Sequence, residues 1–172
     1  MLVCLFGVWL LAKASSPACA APREQSDAYR VTIHVERIDS LRIEALVELV
    51  NPAEIAAITL PLQWGNGHSV YRLDSADYQG LRTEYFALKT IRVDSVKQFV
   101  LIGLISDLGG NYPPLEPGEG GIARLHFSSK RPATTAIAID TTFIPPHNSL
   151  QLVSPDVRAI RPAFFSSMKP KP

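Results

Sequence analysis

The chain has 172 residues, 47% hydrophobic and 19% charged, with a formal net charge of +1. That length supports one domain with a sizeable core, and the composition is that of a globular rather than a disordered protein. Basic and acidic residues balance, so no long-range field draws nucleic acid or an anionic membrane to the molecule.

Leu2 to Ala12 is apolar, and the small residues after it end in Ala18-Cys19-Ala20. This reads as a secretory leader over residues 1–20 with an A-x-A cleavage site. The run is too short to cross a bilayer, so the protein is expected to be secreted or on the cell surface, with no membrane span. A buried N-terminal strand is the competing reading, but neither alternation nor turn chemistry supports it. Both cysteines, Cys4 and Cys19, fall in this segment. Lipidation of Cys19 wants a large aliphatic residue where Ser16 stands. Without the leader, 16 basic residues face 16 acidic ones and no disulfide can form.

Residues 21–28 are polar and read as a short linker. A sandwich domain is expected over residues 29–154, and a tail or linker over 155–172. Within the domain, Val31, Ile33 and Val35 alternate with polar residues, the signature of a half-buried strand. Ile43, Ala45, Val47 and Leu49 form a second alternating face. Glu44 and Glu48, four apart, allow a helix there, but Asn51-Pro52 and the repeating β context favour a strand. Ile58, Leu60, Leu62 and Trp64 form the next apolar row. Pro61 cannot donate to a ladder, so this strand is expected at an edge or locally broken, and Trp64 is expected in the core. Gly65-Asn66-Gly67 ends it with residues that tolerate positive φ.

Val70 to Leu73 and Leu81 to Asp94 hold further short strands. Phe99 to Ile105 is continuously apolar, which predicts a strand covered on both faces. Asp107 to Gly121 is dense in glycine and proline and must be a loop. Strands are then expected at Ile122 to Phe127, Thr135 to Thr142 and Leu150 to Val153. About nine short strands with turns every eight to twelve residues predict an all-β, antiparallel sandwich.

The order of these segments carries a family resemblance. It runs from an alternating strand to Ile58-Thr59-Leu60-Pro61-Leu62-Gln63-Trp64, then to the apolar strand Val100 to Ile105. A Gly/Pro loop then closes on Gly121-Ile122-Ala123-Arg124-Leu125-His126-Phe127, and a last strand holds Thr141-Thr142-Phe143. This resembles cohesin-type domains, the jelly-roll sandwiches of cellulosome scaffolds and related bacterial surface proteins, over Tyr29 to Val153. The family commonly has Tyr-Asp and a Pro-led turn where this chain has Trp64-Gly65-Asn66, which places it in a divergent branch.

The resemblance implies a module that docks a dockerin-bearing secreted or surface protein on one flat sheet face. The outward residues Thr59, Gln63, Arg92, Arg124 and His126 are the candidate contacts. The same fold family includes carbohydrate-binding modules, so a polysaccharide ligand is the alternative. Trp64, Tyr71, Tyr78, Tyr85 and Tyr112 carry the rings that could stack on sugar, and Tyr112, in the Gly/Pro loop, is the candidate for doing so.

Catalytic residues are not expected. The chain lacks G-x-S-x-G, H-E-x-x-H and G-x-x-x-x-G-K. Its four histidines, His34, His68, His126 and His147, include no i, i+4 pair, so neither a metal site nor a cofactor is expected. Asp74, Asp77 and Asp107 lack the register of a calcium loop and suit turn capping. Glu84, Asp94 and Glu116 are the carboxylates a glycoside hydrolase would have to bring together.

Overall fold

The computed structural model describes residues 24–65, 69–133 and 137–168. The leader reading, the Asn66-Gly67 turn and Thr135 lie outside the described residues. The strands are β1 (Glu24–Arg37), β2 (Arg42–Asn51), β3 (Ala57–Trp64), β4 (Tyr71–Asp77) and β5 (Leu88–Asp94). They continue with β6 (Phe99–Ile105), β7 (Gly118–Ser129), β8 (Ile139–Thr141), β9 (Gln151–Val153) and β10 (Ala159–Met168).

Hydrogen bonding links them in the order β4-β7-β2-β1-β10-β9-β3-β6-β5, with β8 beside β3. This path folds into two layers. β4, β7, β2, β1 and β10 form one, and β9, β3, β6 and β5 the other. One core cluster fills the space between, drawing Val31, Ile33, Val47 and Leu125 from the first layer and Leu60, Leu62, Ile102 and Leu104 from the second. The fold is therefore an all-β, jelly-roll-like sandwich, antiparallel at every pairing except β1 with β10, which is parallel.

Period-2 alternation explains most of this. Along β2, Ile43, Ala45, Val47 and Leu49 are buried, and the residues between them are half-exposed. The segment is a strand and not the alternative helix, because only a two-residue repeat puts those four side chains on one face. Trp64 closes β3 in the core at 1% exposure. Its ring meets Phe127 edge-on at 5.5 Å, tying the two layers together, and its Nε1–H donates to Tyr71 O at 2.9 Å. Gly65 follows at φ 59°, where a Cβ would sit 2.3 Å from that of Ser69. Trp64→Phe keeps a ring but leaves the Tyr71 carbonyl without its donor. It is expected to cost about 1–3 kcal/mol, to be read from denaturant unfolding.

Pro61 resolves differently from a plain edge. β3 is interior, paired to β6 on one side. On the other side β9 pairs Ala57 to Thr59 and β8 pairs Leu62 to Trp64. The proline sits where one neighbour gives way to the next. Its carbonyl accepts from Thr142 N–H at 3.0 Å, so its nitrogen points to that same interrupted side and the β6 ladder loses nothing.

Five expectations need correction. The loop expected from Asp107 to Gly121 ends at Pro117, because Gly118 to Gly121 already pair with β2 as the start of β7. Residues 155–172 are not simply a tail, since Ala159–Met168 forms β10, paired to β1 and β9. Nor are residues 21–28 all linker, because β1 begins at Glu24. Leu81 to Phe86 is a run of turns rather than strand. Finally, β6 is covered on one face only: Val100, Ile102 and Leu104 are buried, whereas Phe99, Leu101, Gly103 and Ile105 are half-exposed. A two-layer sandwich has no third layer to cover them.

Candidate functional site

The uncovered side of β6 is the centre of a continuous surface. Residues directly paired across antiparallel strands share a face. Leu101 lies between Pro61 of β3 and Arg92 of β5, and Gly103 between Thr59 and Thr90. Ile105 lies between Ala57 and Leu88, and Phe99 between Gln63 and Asp94. The result is an apolar row flanked on both sides by polar and small groups. The middle of the row is low, because Gly103 has no side chain. A Cβ there would come within 2.7 Å of Thr90 Oγ1, and that hydroxyl donates to Gly103 O at 3.2 Å. Gln63 Nε2 donates to Lys97 O at 3.3 Å, which holds its side chain along the hairpin end.

Thr59, Gln63 and Arg92 thus fall together. Arg124 and His126 do not join them. They stand on β7, outward from the other layer, beside Glu44 and Leu46 of β2. There they belong to an internal charge network. Arg124 Nε lies 3.1 Å from Glu44 Oε1, its Nη1 3.4 Å from Asp77 Oδ2, and His126 Nδ1 3.6 Å from Glu44 Oε2. Further along the same face His34 bridges three strands, with Nε2 2.9 Å from Glu48 Oε2 and Nδ1 2.9 Å from Ser167 Oγ. Alternation correctly makes all five candidates outward, but it does not say which layer a strand joins. The five therefore divide between opposite faces. The apolar row that sequence reasoning missed had a signal in Phe99 to Ile105. Seven apolar or glycine residues exceed what one buried face of a two-layer fold can use.

The loop from β6 to β7 borders this layer. Arg82 fastens it, donating to Leu49 O (3.1 Å), Asn51 Oδ1 (3.0 Å) and Glu116 O (2.6 Å). Asp107 organises its tip. Its carboxylate accepts the N–H groups of Gly109, Asn111 and Tyr112 at 3.2, 2.9 and 3.3 Å, and that of Gly110 as well. These bonds, that from Asn111 first, hold its pKa below the ordinary carboxylate value. A depressed acid stabilises the fold above its unfolded pKa and loses that contribution as pH falls through the lower folded value. The Asn111 and Tyr112 amides are therefore expected to stay protected until the pH drops below about 4. Asp107→Ala should remove that protection at every pH, as followed by amide NMR.

Four further carboxylates are partnered locally. Asp77 accepts from Gln79 N–H at 3.0 Å, Asp94 from Val96 and Lys97 N–H at 3.0 and 2.9 Å, and Glu84 from Gly80 N–H at 2.9 Å. Asp74 pairs with Arg72 at 3.5 Å. Among the aromatic candidates, Trp64 and Tyr71 are buried and Tyr78 packs against the core. Tyr85 is tied by its hydroxyl to Pro114 O at 3.1 Å. Tyr112 is 48% exposed at the loop tip.

The fold is similar to solved cohesin structures. One is a non-cellulosomal cohesin from the hyperthermophilic archaeon Archaeoglobus fulgidus, 16% identical, with a TM-score of 0.52 over 81% of this chain and 89% of that one. Another is a type I cohesin–dockerin complex from Clostridium thermocellum, 11% identical, with a TM-score of 0.61 over 83% and 99%. A cohesin from Clostridium acetobutylicum in solution is 12% identical, with a TM-score of 0.58 over 83% and 90%. At such identities the likeness establishes a cohesin-like fold. No family model matches the chain, and no curated protein matches it in sequence.

Proposed function

We propose that the chain is a non-catalytic docking module that holds a protein partner on the outer face of β9, β3, β6 and β5. The observation that carries this is the half-exposed row Phe99, Leu101 and Ile105, set among Thr59, Gln63, Thr90 and Arg92. An apolar centre with a polar rim is the anatomy of a protein interface. The opposite face fits that role less well, since its polar side chains Arg124, His126, Glu44, His34 and Glu48 are already partnered with one another. Support also comes from cohesins of this fold that were solved in complex with dockerins. A dockerin-type secreted or surface protein is the partner we favour, and the leader reading places the encounter outside the cell.

The test is a pulldown with the chain from Ala21 onward, run with and without calcium, against secreted proteins of its own source. Retention of a protein bearing calcium-loop repeats supports the reading. Retention on insoluble polysaccharide alone, lost in Tyr112→Ala, would instead move the assignment to a sugar-binding module.

A further inference from the structure

β4 and β5 end the hydrogen-bonded path, and they are finished differently. β4 has a register shift between Leu73 and Ser75 and carries Asp74 and Asp77. Bulges and charges are the usual defences of an open edge. β5 pairs with β6 without a shift from Leu88 to Asp94. It leaves Ile91 45% and Val93 40% exposed, and Val96 just beyond is 88% exposed. A regular, partly apolar edge with no strand paired to it among the described residues is a template for another strand.

The backbone direction is fixed. Ser106 N–H donates to Ala56 O and Trp64 N–H to Gln98 O across the β3–β6 pair. Backbone groups alternate sides along a strand, so those of Val100, Ile102 and Leu104 face β3 while those of Phe99, Leu101, Gly103 and Ile105 face β5. The backbone groups of Thr90, Arg92 and Asp94, opposite those residues, therefore face β6. Those of Lys89, Ile91 and Val93 face the open edge.

We propose that this edge pairs with β5 of a second copy of the chain, antiparallel and two-fold symmetric about Val93. In that register Arg92 of each copy lies opposite Asp94 of the other in the closer, non-hydrogen-bonded pairs, so unlike charges oppose one another on both sides of the axis. Val93 lies opposite itself, and the two copies exchange backbone hydrogen bonds there. A centre on Arg92 would oppose two guanidinium groups, and one on Ile91 would set Asp94 against Leu88. Charge complementarity selects Val93. Arg92 is exposed, and Asp94 spends only Oδ1 on its own turn. A two-fold axis normal to the sheet would also put both copies' docking faces on one side. The dimer does not depend on that reading, since it is measured without any partner.

The experiment is sedimentation equilibrium on the full chain. A concentration-dependent doubling of mass is expected. R92D and D94K should each sediment as monomers at concentrations where the parent is dimeric, and their equimolar mixture should recover the dimer, because the heterodimer restores both pairs. A parent that stays monomeric, or a mixture that does not recover, overturns the proposal. A second measurement does not need D94K to fold. With Cys4 and Cys19 replaced by Ser, V93C should cross-link to itself on mild oxidation, since directly opposite residues, about 5.5 Å apart at Cα, sit within disulfide reach. I91C, facing Ser95 of the other copy, should not. Equal cross-linking at both positions, or none at V93C, overturns it.

Discussion

Leu101→Asp is expected to weaken capture of the protein partner by about 30-fold or more, while the domain stays folded. Leu101 is outward and half-exposed, with Pro61 on one side and Arg92 on the other. Charging it therefore leaves the core intact, and an outward polar substitution of this kind changes stability by about 0.5 kcal/mol or less. At an interface centre the same change is severe. It removes the apolar surface the partner would desolvate and buries a carboxylate without a mate. Central positions of this kind are worth about 2 kcal/mol or more, and about 1.4 kcal/mol is a factor of ten in affinity. Thr59→Arg, one strand away, should act in the same direction by filling the low ground above Gly103. Arg124→Gln is the counter-case. It loosens Glu44 and Asp77 on the opposite face and should leave capture within about threefold, the scatter of an energetically silent position. Calorimetric titration of the three variants decides between the faces. Capture lost in Arg124→Gln and kept in Leu101→Asp would put the partner on β4, β7 and β2 instead.

What could be read from the sequence follows from how local each signal is. Ile43 to Leu49 and Ile58 to Trp64 state their own alternation, so the strands and their buried sides were legible. Thr59 and Arg124 show the limit. Both are outward by parity, but their layer depends on partners 40 or more residues away, Gly103 for the one and Asp77 for the other. β10 shows a different limit. Ile160 and Pro162 are buried and Phe164 is half-buried, so the alternation is present, but a proline and the serines after Phe165 hide it. The structure accommodates Pro162 because it falls at the register irregularity between Gln25 and Arg30, where no ladder partner is needed. The partner itself, β1, is about as distant in sequence as the chain allows.

Truncation after Ser154, where the sequence alone puts the end of the domain, is expected to destroy cooperative folding. β10 is the only described strand that joins the two layers by hydrogen bonds, through β1 on one side and β9 on the other. Without it, Arg30 to Val35 of β1 lose the parallel ladder to Ala163–Met168, and Leu152 and Val153 lose Ile160 and Ala159. Unpaired backbone groups at the rim can turn to water. The larger loss is apolar. Ile160 is 7% exposed and Phe164 packs against the core. Burying each such side chain contributes about 1.5–3 kcal/mol, and the uncovered flank of Val31 and Ile33 adds to that. A total of about 4 kcal/mol or more, together with the lost hydrogen-bonded link between the layers, removes most of a stability at the lower end of the typical range of about 5–15 kcal/mol. The truncated chain should therefore show no sharp thermal transition by circular dichroism, and the chain carried through Met168 should show one. The milder variant Phe164→Ala, with the strand kept, should lower the denaturation midpoint without abolishing the transition. A truncated domain melting within a few degrees of the parent would mean that β10 is an ornament on a sandwich closed by its core alone.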